Sequence, residues 1–247
     1  MARRSKKQRR RLWIWACVLL AAALLPLGLQ ALRPARPAAL SGQTAEADFP
    51  HSALRFEDLP PYGGQLVIEL NGGAPALDVQ TETPRAVLLS ELDALGRTGP
   101  AFALIGPESL PTEPRGEIGM IRPAGFHNVR YDDLIEDHFL YNRCHVIAYQ
   151  LSGINADARD LFTGTRALNV EGMLPWENEL AAYVRRSGDA VLYRVTPIYA
   201  ADELVPRGVE MEALSLASGG LRFHVFVYNV QPGVVLDYRD GSSRRES

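Results

Sequence analysis

A chain of 247 residues, 47% of them hydrophobic and 22% charged, can bury one substantial core, and a second full domain would be crowded. The formal charge of −3 conceals an asymmetry: Arg3, Arg4, Lys6, Lys7, Arg9, Arg10 and Arg11 all precede residue 12, and the remaining 19 basic residues face 29 acidic ones. A body carrying −10 lacks the broad basic surface of a tight nucleic-acid binder, so any action on a polyanion has to rest on a local site.

After the basic tail of residues 1–11, the stretch 12–32 runs 21 residues without a charge, long enough to cross a hydrocarbon layer of roughly 30 Å as a helix. The cations before it, against only Arg33 and Arg36 just after it, predict a signal anchor with a cytoplasmic N-terminus and the rest of the chain outside. A cleaved signal peptide is the alternative, although the apolar run exceeds the usual length of such segments. Cys17 falls in this run and Cys144 in the body, which argues against an intramolecular disulfide.

Residues 33–60, rich in Pro and Ala, read as a linker, and the folded domain is expected over 61–247. Short apolar strands are expected at 65–70 and 101–106, with a short helix between them over 85–95. The pattern from Pro175 to Arg186 predicts an amphipathic helix ended by Gly188, with Leu180, Tyr183 and Val184 on the apolar side and Glu177 largely elsewhere. Three β-rich runs follow, at 190–200, 208–216 and 221–230. In the last, Leu221, Phe223, Val225 and Val227 alternate with Arg222, His224, Phe226 and Tyr228, which predicts one face on the core. The order is α+β, ending in an antiparallel meander.

Four of the five histidines, His51, His127, His138 and His224, have no evident partner arrangement in the sequence. His145 is different: in an extended segment Arg143, two residues earlier, shares its face, so a base and a phosphate-binding cation point together. Further on, Asn169 precedes the predicted helix and Glu177 lies within it. Taken singly, Asn169 is a plausible helix cap and Glu177 a solvated carboxylate. Cys144, beside Val146 and Ile147, reads as a buried structural residue. No GxSxG or HExxH occurs to suggest a serine esterase or zinc protease.

From about Pro61 to Tyr238 the chain resembles the DNA/RNA non-specific endonucleases of the ββα-metal (His-Me finger) class, in a branch of membrane-anchored and secreted bacterial nucleases. The stretches that carry the resemblance are NRCHVIAYQ (142–150), NVEGMLPWENE (169–179) and LYRVTPIY (192–199). The family signature has Asp-Arg-Gly-His, two asparagines nine apart, and an acid eight beyond the second. Here Arg143, His145, Asn169 and Glu177 match it, while Asn142, Cys144 and Asp160 depart from it. The resemblance implies a ββα-metal core with an antiparallel sheet, Mg2+ as cofactor with Mn2+ able to substitute, and DNA, with RNA as a further substrate, as partners. It implies His145 as general base, Asn169 as direct metal ligand, Glu177 as holding the ion through water, and Arg143 as the fork on the phosphate. Arg115 is a weaker substrate contact, with a surface ion pair as its alternative reading. Asp160 stands where the first asparagine would orient groups around the attacking water, and a carboxylate there is expected to add negative charge near the phosphate. With the acidic body, that departure motivates a second reading, a membrane-tethered binding domain that kept the fold and lost catalysis.

Overall fold

The structure is a computed structural model that describes residues 43–44, 52–79, 87–217 and 219–247. The expected anchor over 12–32, with Cys17, lies outside the described residues, as does His51.

The strands are β1 (Gln43–Thr44), β2 (Val67–Glu69), β3 (Leu88–Leu89), β4 (Ala101–Ile105), β5 (Tyr141–His145), β6 (Leu161–Thr165), β7 (Val191–Ile198), β8 (Gly208–Ser215), β9 (Arg222–Tyr228), β10 (Val234–Leu236) and β11 (Ser243–Arg245). The helices are a single turn, α1 (Tyr149–Ser152), and α2 (Leu174–Ser187). The main sheet has the order β1-β3-β4-β7-β8-β9-β2 and is antiparallel except between β1 and β3. β7, β8 and β9 form the expected meander, and β5 and β6 form a separate antiparallel pair.

Side chains alternate across a strand, and here both sets find cover. Val209, Met211 and Ala213 of β8, with Phe223, Val225 and Val227 of β9, join Leu168, Met173, Leu180 and Val184 in the main core. On the opposite face Phe226 and Tyr228 pack with Ile198 beneath Leu54, Phe56 and Leu59. The expectation of one covered face on the last strand is therefore corrected: the segment read as the end of a linker lies over the other face, and apolar packing reaches back from Pro61 to Leu54.

The expected helix over 85–95 is replaced, in its described part, by β3 and a turn. Asp93 Oδ1 accepts from the backbone N–H of Leu95 and of Arg97, each at 2.9 Å, and Gly96 takes a positive φ of 74°. That turn chemistry folds the chain back so that Leu88 and Leu89 pair with β4, which overrides the local helical pattern.

The helix after β6 begins irregularly. Residues Leu168–Met173 form a π-helical segment in which the N–H of Leu174 reaches the carbonyl of Asn169, five residues back. Pro175, with no N–H to give, sits at the start of α2. Gly172 lets this segment lie on the sheet, because a Cβ there would meet Val227 Cγ1 at 2.2 Å. The helix ends at Gly188, φ 70°, whose N–H caps Val184. Glu177, expected on the polar side, is buried with Leu180, Ala181 and Val184. These positions are three, four and seven residues on from it and share its face.

Candidate active site

Two elements bring the predicted residues together. β5 carries Arg143 and His145, and β6 leads directly into the π-helical segment and α2, which carry Asn169 and Glu177. In a regular α-helix a spacing of eight residues overshoots two turns by about 80°. The wider π turn takes up that excess and points both side chains into one cleft. Arg115, His145, Asn169 and Glu177 all line this cleft, with Tyr149 and Gln150, around a volume of about 230 Å³.

His145 is buried, and its Nε2 lies 2.9 Å from the carbonyl oxygen of Asn155. A carbonyl only accepts, so Nε2 carries the proton and the lone pair is on Nδ1. Burial, opposed by the bond to Asn155 and aided by the nearby Arg115 guanidinium, lowers the imidazole pKa to about 4. The ring is thus neutral near pH 7, in one tautomer. Asn155 gave no signal in the sequence, since it acts through its backbone.

Glu177 is 7% exposed, and burial alone pushes its pKa up to about 8. Among the described residues no hydrogen bond or ion pair engages its carboxyl. Nor does the Asn169 side chain cap the helix, so the capping reading falls away. A half-buried amide and a buried carboxyl without protein partners, facing one cleft, form an oxygen donor set suited to a hard divalent cation.

The arginines differ from expectation. Arg143 lines a concavity that adjoins the cleft, but its Nε donates to the carbonyl of Ile121 at 2.5 Å and its Nη2 to that of Gly119 at 3.1 Å, with the guanidinium 4.4 Å from the centre of the Phe126 ring. Two of its five N–H donors are thus engaged by backbone carbonyls of the protein. Arg115 is exposed and, among the described residues, has no ionic partner, which removes the surface-ion-pair reading. Its loop is tied down by the Tyr149 hydroxyl, which donates to the carbonyl of Glu113 at 2.8 Å, and by Asn155 Nδ2, which donates to that of Glu117 at 3.3 Å.

Asp160 is corrected as well. It is fully buried and does not line the cleft; its Oδ1 accepts from the N–H of Ile147 at 2.8 Å and its carbonyl from that of Val146, fixing the chain just beyond His145. Burial holds its pKa well above the ordinary carboxylate range. Cys144 is buried at 1% and free, and burial pushes its thiol up, consistent with a structural role.

A second polar cluster lies on the sheet face opposite α2, where Glu210, Glu212 and His224 come within 4.8 Å of one another. His224, for which the sequence shows no evident partner arrangement, faces acceptors with both nitrogens: Ala74 O at 3.1 Å and Glu210 Oε1 at 2.7 Å. It therefore donates twice, as an imidazolium. Arg194 donates to Glu212 at 2.7 Å, so two cations already balance two carboxylates, and a divalent ion in place of the His224 proton would leave an excess of positive charge. A larger cavity of about 530 Å³ is lined by Glu203, Arg207, Asp237 and Arg239, whose charges pair with each other.

Comparison with known proteins agrees with this architecture. The family model described as DNA/RNA non-specific endonuclease matches residues 80–216. Among solved structures, NucA from Streptococcus agalactiae with magnesium ion bound is 25% identical, with a TM-score of 0.65 over 73% of this chain and 86% of that one. The Sda1 nuclease with bound zinc ion shares the fold at 23% identity and a TM-score of 0.62, covering 73% of this chain and 97% of that one. An extracellular endonuclease shares it at 22% and 0.52, over 75% and 100%. An antiparallel β-pair running into a helix beside a seven-stranded, mainly antiparallel sheet, with a histidine in its cleft, is the frame of a nuclease. The chain belongs to the DNA/RNA non-specific endonuclease family.

Proposed function

We propose that this endonuclease is metal-dependent and hydrolyses DNA, and RNA as well, without sequence preference, outside the cytoplasm and tethered by residues 12–32. The observation that carries the catalytic part is the bond from His145 Nε2 to Asn155 O, which leaves Nδ1 as an acceptor in a cleft that also holds two unpartnered oxygen donors. His145 Nδ1 takes the proton of a water that attacks phosphorus, the bond from phosphorus to the 3′ oxygen breaks, that oxygen takes a proton from solvent water and leaves as a hydroxyl, and His145 returns its proton to solvent. Asn169 and Glu177 would hold a magnesium or manganese ion, which when bound stabilises charge on the phosphate and the leaving oxygen. Arg115 takes the phosphate-binding role that the signature gives to Arg143, and Arg143 holds the loop at Gly119–Ile121. Contacts confined to phosphate carry no base information, which accounts for non-specific cutting. The NucA structure with magnesium and the extracellular endonuclease support the choice of ion and of compartment.

The binding-domain reading loses one of its two motives, since the Asp160 carboxyl is buried away from the cleft. The test is nicking of supercoiled plasmid by the purified full-length chain in magnesium or manganese, with arrest by EDTA. His145→Ala is expected to lose about 10²- to 10⁴-fold, with no rescue by added metal. Arg115→Ala should weaken substrate binding without lowering thermal stability. A wild-type protein inactive on single- and double-stranded substrates across divalent metals would overturn the proposal in favour of binding alone.

A further inference from the structure

The cleft continues past His145. An adjoining concavity of about 390 Å³ shares Arg115, His145 and Asn169 with it and adds Phe139, Arg166, Asp137 and Asn128. Two of these stand out. Phe139, 42% exposed, is the only exposed phenylalanine among the described residues, in a body that also exposes Tyr62, Met120 and Leu134. Its position is set by a closed turn: Tyr131 N–H donates to His138 O and His138 N–H to Ile135 O, both at 2.8 Å, with His138 at a positive φ of 69°. The Arg130 guanidinium lies 5.2 Å from the ring centre. Arg166 leaves β6 three residues before Asn169, its N–H donating to Leu140 O at 2.8 Å, and its guanidinium pairs with the carboxylate of Asp137, which is 55% exposed. Phe139 thus lies two residues before β5, which carries His145, and Arg166 follows β6 directly on the way to Asn169.

We propose that this concavity binds the nucleotide next to the scissile phosphate, with its base stacked on Phe139 and its flanking phosphate drawing Arg166 away from Asp137. The assignment rests on the endonuclease reading and adds a substrate form to it. An aromatic face accepts any base, so the subsite is sequence-tolerant, and a base must leave its own stack to reach the ring, so unpaired strands are preferred over duplex. Asp137 acts as a stand-in anion that the substrate displaces, which makes its removal a gain for binding.

The experiment measures Kd by fluorescence anisotropy in EDTA, with a labelled thymidine oligonucleotide and its duplex, and, with magnesium added, KM for cleavage of both, using the full-length chain. Phe139→Ala should raise Kd and KM on the single strand roughly 5- to 100-fold and less on the duplex, with the smaller effect on kcat. Phe139→Trp should restore binding. Asp137→Asn should lower Kd, and Arg166→Ala should raise it and cancel the Asp137→Asn gain. Unchanged single-strand Kd in both Phe139 variants overturns the subsite, as does an equal loss on duplex. Because anisotropy reads binding without cleavage, a wild-type protein that binds through Phe139 yet cuts nothing would sink the catalytic reading and leave the subsite standing.

Discussion

The Nε2 of His145 and the backbone carbonyl of Asn155 are 2.9 Å apart, and that one contact sets the tautomer of the imidazole at the head of the cleft. His145 ends β5 and Asn155 lies beyond α1 in the connection to β6, so the orientation of the base is set by the path of that connection.

The pH profile follows from it. Burial, the first cause, lowers the His145 pKa to about 4, so its lone pair is available throughout the range in which an exposed histidine would be protonated. With metal saturating, kcat/KM for plasmid nicking should therefore stay level from pH 7 down to about 5 and fall only near 4. An acid limb centred near 6.5 would show that the ring is solvated in the free enzyme, contrary to the buried position found here.

Glu177 sets a different limb. Burial raises its pKa to about 8, so at neutral pH in the absence of a cation it is largely protonated, and a divalent ion has to displace that proton. At limiting magnesium, activity should rise with pH through about 8, and the limb should move to lower pH as magnesium is raised. Glu177→Gln should abolish this metal-dependent shift and lose roughly 10- to 100-fold in metal affinity or activity, less than His145→Ala. A limb that ignores metal concentration would separate Glu177 from the ion.

The site was legible in the sequence where side chains act by type and spacing. His145, Asn169 and Glu177 do share a cleft, and the helix from 175 to Gly188 and the closing meander lie within a residue or two of their expected places. Illegible were the contacts made by backbone. Nothing in the residue identities says that Gly119 and Ile121 present carbonyls to Arg143, or that Asn155 presents one to His145. One signal was available and missed: Glu177 lies at helical spacing from Leu180, Ala181 and Val184, so a carboxylate interrupts the apolar face of α2. The helix expected over 85–95 failed for a local reason, since Asp93 and Gly96 make a turn that pairing with β4 rewards.

Asp160 yields a prediction from its departure from the family signature. A carboxyl that burial keeps protonated well above its usual range has nearly the shape of the asparagine amide it replaces, and it still accepts from Ile147. Its folded pKa is raised above the unfolded value of 3.8, so stability is fully present below that value and is lost as pH rises towards the folded pKa. Asp160→Asn should therefore retain activity and melt at a higher temperature than wild type at pH 7, with the two converging at pH 3. A loss of activity on this change, with the fold intact by circular dichroism, would mean that the acid itself takes part in the chemistry.

The last prediction concerns the far face of the sheet, where His224, Arg194, Glu210 and Glu212 form a buried, charge-balanced network. Burial opposes the charge on His224, but the bond to Glu210, the nearby Glu212 and the Ala74 carbonyl outweigh it and raise the pKa above 6.5. A raised histidine pKa gives stability that is fully present below 6.5 and is lost as pH climbs through the folded value. The loss has a structural address: without its second proton His224 must turn a lone pair on either Ala74 O or Glu210, while Glu210 Oε2 already lacks a partner. Ala74 belongs to the segment that also places Ala76 N–H 2.8 Å from Glu212 Oε1, so the strap over this face should loosen first. Melting temperatures in EDTA should decline on the alkaline side of neutrality, and the protection of the Ala74 and Ala76 amides from hydrogen exchange, relative to their intrinsic rates, should fall over the same range. His224→Gln, which cannot take up the extra proton, should be less stable than wild type at pH 6 and should flatten the decline. If wild type and His224→Gln fall in parallel between pH 6 and 9, the network does not carry its stability through the histidine proton.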